Sequence, residues 1–133
     1  MISSEDDAEL KVLYIEDNPS NLKLVQRILE RWRHVEVMSS IQGALGIELA
    51  QRHHPDLILL DLHLPDRHGA EVLDALRSDP ETAHIPVVVV SADATPGEIQ
   101  RLRDKGADDY VTKPLDVSQF LASLERVIEG ESP

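Results

Sequence analysis

The sequence contains no cysteine, one tryptophan, one phenylalanine and two tyrosines among its 133 residues. Without cysteine, disulfides, thiolate nucleophiles and thiolate metal centres are excluded, and the absence fits a reducing compartment. So few aromatics leave the core to aliphatic side chains. Positive charge is also scarce: 13 Lys and Arg against 25 Asp and Glu give a net charge of -12. That balance argues against gripping a nucleic-acid backbone through a general field and suits a protein that meets cations or basic surfaces. Long apolar runs are missing as well. The longest aliphatic runs, residues 57–60 and 87–90, fall far short of the roughly 20 residues a bilayer-spanning helix needs. The opening "MISSEDDAEL" is acidic and lacks the basic start and apolar stretch of a signal peptide. A cytoplasmic protein without membrane contact or direct nucleic-acid binding is expected, built as one domain able to bury a core without staples.

What is present is a regular alternation. "LILL" and "VVVV" are short, continuous and apolar, as strands covered on both faces are. "KVLYI" at 11–15 resembles them, "VEVM" at 35–38 alternates as a strand nearer an edge does, and "DYV" at 109–111 is a short fifth candidate. Helical patterns lie between. Asn18-Pro19 opens the first as an N-cap followed by proline, with Leu22, Val25, Ile28 and Leu29 as its apolar stripe. Further helices are expected near 41–52 and 70–78, and from Thr95-Pro96-Gly97-Glu98, which has the form of a capping box. In the last helix Asp116 and Gln119 supply the cap, and Val117, Phe120, Leu121, Leu124 and Ile128 the stripe. Strands ending near 15, 38, 60, 90 and 111, each followed by a helix, predict right-handed crossovers: one α/β, doubly wound, mostly parallel sheet with helices on both faces. The domain is expected over 10–129, with tails at 1–9 and 130–133.

In such sheets ligands bind beyond the carboxyl ends of the strands. Glu16 and Asp17 stand there after the first strand, Asp61 after the third, Ser91 after the fourth and Lys113 just past the fifth, while the second ends in Ser39 and Ser40. Three carboxylates on one edge repel: two unit charges about 4 Å apart interact by about 4 kcal/mol at an effective dielectric near 20. Such a cluster calls for a cation. All-oxygen ligands indicate Mg²⁺, with Mn²⁺ as the alternative. A divalent ion, a lysine and a hydroxyl around an aspartate would also stabilise a transferring phosphoryl group.

With "IEDN", "LLDLHLPDRHG", "VVVVSAD" and "GADDYVTKPL" in order after strands one, three, four and five, the chain resembles the receiver domain of two-component response regulators over about residues 10–129. The resemblance implies a flavodoxin-like (βα)5 sheet of order 2-1-3-4-5. It implies that Asp61 is the phosphoacceptor, a nucleophile that forms an acyl phosphate. Glu16 and Asp17 would be the acidic pair of the Mg²⁺ site, completed by Asp61 and the backbone carbonyl of His63. Ser91 would hydrogen-bond the phosphoryl group, Lys113 would pair with it, and the Lys113–Pro114 bond would be cis. Tyr110 matches the aromatic switch residue that follows Ser91 and remodels the face of the fourth helix, fifth strand and fifth helix. The implied partners are a histidine kinase or a histidine phosphotransfer protein, docked near Pro19 and Leu22, and a homodimer through the fourth-helix to fifth-helix face. The domain would be no enzyme beyond catalysing its own phosphorylation and dephosphorylation.

His63 and Asp93, two residues past Asp61 and Ser91, are expected to tune the acyl phosphate's lifetime, Asp93 by repelling anions. The six histidines lack zinc-ligand spacing and read as surface residues. Of the three aspartates in "DLILLDLHLPDRHG", Asp56 belongs at the amino end of its strand, and Asp66 is expected to cap or solvate the third helix. A flavodoxin-like cofactor binder would want a Ser/Thr/Gly-rich loop where "EDNPSN" stands. A haloacid-dehalogenase-like phosphatase would carry its aspartate after the first strand. A degenerate receiver used only for binding is opposed by the intact acceptor set. "YIEDNPSNLKLV" is similar to receivers attached to hybrid histidine kinases, so either a single-domain regulator or a piece of a longer protein is expected.

Overall fold

A computed structural model describes residues 9–92 and 95–130. Five strands, β1 (Leu10–Ile15), β2 (Val35–Ser40), β3 (Leu57–Leu60), β4 (Val87–Ser91) and β5 (Asp109–Thr112), alternate with α1 (Pro19–Trp32), α2 (Gly43–His53), α3 (Gly69–Ser78), α4 (Pro96–Asp104) and α5 (Val117–Glu129). Every strand pairing is parallel, and the sheet runs β2-β1-β3-β4-β5. Alternation of side chains along each strand splits the core in two. Leu13, Ile15, Ile58, Leu60, Val87 and Val89 pack under α2, α3 and α4. Val12, Tyr14, Leu57, Leu59, Val88 and Val90 pack under α1 and α5. Both faces are covered, which is why the central strands read as unbroken apolar runs rather than as alternation. No helix among the described residues is long and apolar enough to cross a membrane.

The helix starts follow local chemistry in four of five cases, and three of these caps are the ones expected from the sequence. Asn18 Oδ1 accepts from the amides of Ser20 and Asn21, Thr95 from that of Glu98, and Asp116 from that of Gln119. In α5, Phe120 and Leu124 are buried and Leu121 and Ile128 pack against the same cluster as expected, while Val117 is exposed and Ser123 and Val127 join the buried side.

Asp66 corrects the expectation that it serves the third helix. Its carboxylate accepts from the amides of Gly43 at 2.7 Å and Ala44 at 3.0 Å, so it caps α2 from a loop 23 residues away in the chain. Those two amides, Ala44's first, hold its carboxyl below the usual range. The start of α3 is capped instead by His68, whose Nδ1 accepts from Ala70 N at 3.0 Å. His68 therefore has a structural task that its reading as a surface residue missed. Replacing Asp66 with Ala should speed amide hydrogen exchange at Gly43 and Ala44 and lower the urea midpoint, with exchange in α5 unchanged.

Two clasps tie the far elements to the sheet. Arg77, near the end of α3, donates to the carbonyl of Gly106 twice (3.0 and 2.9 Å), to those of Ala83 (3.1 Å) and Ile85 (2.7 Å), and to Asp108 Oδ2 (3.0 Å). Gly106 has a φ of 110°, where a Cβ would also meet the Arg77 side chain at 2.9 Å, so glycine is required there. Buried Asp109 opens β5 and accepts from Ser123 Oγ (2.6 Å), Arg126 (2.9 Å) and Arg103 (3.1 Å), pinning α4 and α5 to the strand.

Candidate functional site

The sheet's hydrogen-bond ladders run one step past the strand ends and carry the polar residues with them. Glu16 N donates to Ser40 O at 2.9 Å, Asp61 N to Ile15 O at 3.0 Å and Lys113 N to Ser91 O at 3.0 Å. Ile15 lies opposite Leu60, and Leu60 opposite Val89, so the residues that follow are fixed side by side. The loop beyond Asp61 folds tightly against α3. Gly69 N donates to Leu62 O at 2.7 Å, and a Cβ on Gly69 would lie 2.6 Å from the carbonyl oxygen of Asp61. Only glycine permits that approach, which makes Gly69 part of what holds the loop behind Asp61.

Glu16, Asp17 and Asp61 each place an oxygen within 4.8 Å of the others. Glu16 and Asp61 are buried, at 2 and 5 % exposure, and Asp17 is exposed. The lysine of the cluster is Lys113, with Nζ 2.8 Å from Glu16 Oε1 and 3.6 Å from Asp61 Oδ1. Burial pushes the Asp61 carboxyl up to about 6, helped by the neighbouring charge of Glu16 and opposed by Lys113 and the His63 amide. Burial also works against ionised Glu16, but Lys113, Tyr14 and Asn21 outweigh it and hold that carboxyl below its ordinary value. Burial first, then the charge of Glu16, raises the hydroxyl pKa of Tyr14, which stays a proton donor.

The donor set is all oxygen, and three carboxylates against one ammonium leave two net negative charges. Ligands about 2.1 Å from one six-coordinate ion lie no more than about 4.2 Å apart, close to the spread found here. The residues fit a hard divalent cation.

Ser91 ends β4, fully buried beside Lys113. The Lys113–Pro114 peptide is cis. His63 follows two residues after Asp61 with an exposed side chain, its ring edge-on to His68 at 5.7 Å between centroids. Tyr110 is half-buried in β5, packed against the layer under α2, α3 and α4. Asp93 lies outside the described residues. Asp56 is at the amino edge, accepting from Lys11 N at 2.8 Å.

Comparison with known proteins gives the chain a family. The response regulator receiver domain family matches residues 12–125. The chain belongs to that family. The receiver is 39% identical over 114 residues, 86% of its length and 92% of the relative's, to the polar-differentiation response regulator DivK of Brucella ovis. Among solved structures it is similar to chemotaxis protein CheY4 of Vibrio cholerae, with a TM-score of 0.82 and 27% identity over 90% of this chain and 99% of that one. It is similar also to the receiver domain of sensor histidine kinase PA1611 from Pseudomonas aeruginosa PAO1, with a TM-score of 0.83 and 26% identity over 92% of this chain and 99% of that one. That structure has a magnesium ion coordinated in its active site cleft. The fold, sheet order and membership expected from the motifs are those found, and the general function of such a receiver is phosphoryl transfer to an aspartate in two-component signalling.

The sequence reading missed Tyr14. From the sequence Tyr14 is a scarce aromatic within the first strand, yet its hydroxyl donates to Glu16 Oε1 at 3.0 Å. A tyrosine two residues before an acidic pair, on a strand buried on both faces, was the available signal: its hydroxyl needs a partner when the ring is buried.

Proposed function

We propose that this receiver accepts a phosphoryl group on Asp61 from the phosphohistidine of a histidine kinase or histidine phosphotransfer protein. The observation that carries the reading is the convergence of three carboxylates and Lys113 at one edge of the sheet, with Asp61 buried among them. A carboxylate oxygen of Asp61 attacks phosphorus, a new O–P bond forms, and the P–N bond breaks with its electron pair leaving on the donor imidazole. Lys113 is near enough to Asp61 to pair with phosphoryl oxygens, and Ser91, at the end of the neighbouring strand, offers its hydroxyl to the same group. Glu16, Asp17, Asp61 and the His63 carbonyl would hold Mg²⁺, or Mn²⁺ in its place, which supplies positive charge for the phosphoryl oxygens. Water returns the acyl phosphate to aspartate, so self-catalysed phosphorylation and dephosphorylation are the extent of its enzymology.

Tyr110 is assigned as the switch residue that couples Asp61 to the face of α4, β5 and α5, the surface for an output partner or a second copy. His63 and Asp93 are assigned to tuning the phosphate's lifetime. The domain spans 10–129 and acts in the cytoplasm. The test is incubation with a small phosphodonor such as acetyl phosphate. Intact mass should show one added phosphoryl group with Mg²⁺ and none with excess chelator. Lys113→Ala should slow uptake by about 100-fold or more. Equal uptake with and without the metal would contradict the proposal.

A further inference from the structure

Three side-chain donors converge on one oxygen of Glu16. Tyr14 Oη lies 3.0 Å from Oε1, Asn21 Nδ2 3.0 Å and Lys113 Nζ 2.8 Å. The other oxygen, Oε2, receives the Asn18 amide at 3.3 Å. A carboxylate oxygen offers about two lone-pair sites, so Oε1 carries one donor more than it needs. Lys113 is the donor with a second carboxylate in reach, Asp61 Oδ1 at 3.6 Å. Tyr14 and Asn21 have other constraints. The Tyr14 ring is fully buried in the layer under α1 and α5, and Asn21 is fixed in the first turn of α1 through its amide to Asn18 Oδ1 at 3.4 Å.

We propose that Tyr14 and Asn21 are positioning residues that hold Glu16 by Oε1, keeping its carboxylate at the cation site when Lys113 leaves Glu16 for a phosphoryl group on Asp61. With only Lys113 as its side-chain donor, buried Glu16 would follow the ammonium or lose its partner as the lysine turned away. With two uncharged donors in place, Lys113 can move and Oε1 remains met. The inference rests on the assignment of Asp61 and Mg²⁺ above.

The experiment is calorimetric titration of Mg²⁺ into the full chain and its Tyr14→Phe and Asn21→Ala variants, with and without saturating beryllium fluoride as the phosphoryl mimic, beside urea midpoints. Tyr14→Phe keeps the ring and removes only the hydroxyl. Each variant is expected to weaken Mg²⁺ binding about tenfold, as loss of a partner that orients a ligand does. The deficit should be larger with beryllium fluoride, because Lys113 no longer supports Glu16. A purely structural role would lower the urea midpoint and leave the two deficits equal. Wild-type affinity in both variants, or deficits that do not grow with beryllium fluoride, would overturn the inference while leaving the phosphoacceptor reading intact. Failure of the wild-type chain to bind Mg²⁺ would overturn both.

Discussion

Asp61→Asn should make the metal-free protein more stable while abolishing phosphoryl uptake. The carboxyl of Asp61 is raised from 3.8 to about 6, by burial first and by Glu16 next, so the folded state holds its proton more tightly than the unfolded chain. Below about pH 4 the group is protonated in both states and adds no penalty. Between about pH 4 and about 6 the unfolded chain has released this proton while the folded state still holds it, so stability falls across that window and levels off once the folded state also carries the second buried charge beside Glu16. A shift of this size corresponds to about 3 kcal/mol. Asparagine removes that charge but also the attraction to Lys113 at 3.6 Å, so a net gain of about 1–3 kcal/mol at pH 7 is expected. Urea unfolding between pH 4 and 8 would show it: the wild-type curve declines up to about pH 6 and then levels off, and the variant lacks that decline. Saturating Mg²⁺ should narrow the gap, since the ion stabilises only the chain with the complete carboxylate set. A variant less stable than wild type at pH 7 without metal would show that the cluster is not electrostatically strained.

Arg77→Ala should be among the most destabilising single changes outside the core. One guanidinium serves three carbonyls and one carboxylate, joining the end of α3 to the segments before β4 and β5. Its side chain is 20% exposed. Truncation leaves the carbonyls of Gly106, Ala83 and Ile85 without this donor, at a cost of roughly 3 kcal/mol. Arg77→Lys keeps the charge but not the planar fork, so it should recover only part of the loss. Asp108 stays useful without Arg77, because its Oδ2 also accepts from Val87 N at 2.8 Å. The check is the urea midpoint of both variants beside Mg²⁺ affinity, which should not change, because the clasp lies at the amino edge of the sheet.

The strand ends and caps were readable because their causes are local. Continuous apolar runs mark strands buried on both faces, and Asn18, Thr95 and Asp116 sit directly before the helices they cap. The carboxyl edge followed from where each strand ends and which polar residue comes next. Asp66 was not readable, because its partners on α2 lie 22 and 23 residues away and the choice between two helices is made by loop geometry. Histidine is an uncommon N-cap, so composition could not mark His68. Arg77 and Asp109 look like ordinary surface charges in sequence, and only the packing of α3, α4 and α5 reveals what they clasp. Gly69 ended a recognised motif, but its reason, backbone contact with Asp61, needed coordinates. Tyr14 was hidden by the same apolar run that made β1 easy to find.

The most direct measurement of the central claim is to locate the phosphate. After incubation with acetyl phosphate and Mg²⁺, borohydride reduction converts an aspartyl phosphate to homoserine, and peptide mass spectrometry reads its position. The prediction is homoserine at residue 61 and an unmodified carboxylate at Glu16, Asp17, Asp56 and Asp66. Homoserine at another of these aspartates, or the same uptake in Asp61→Asn, would contradict it.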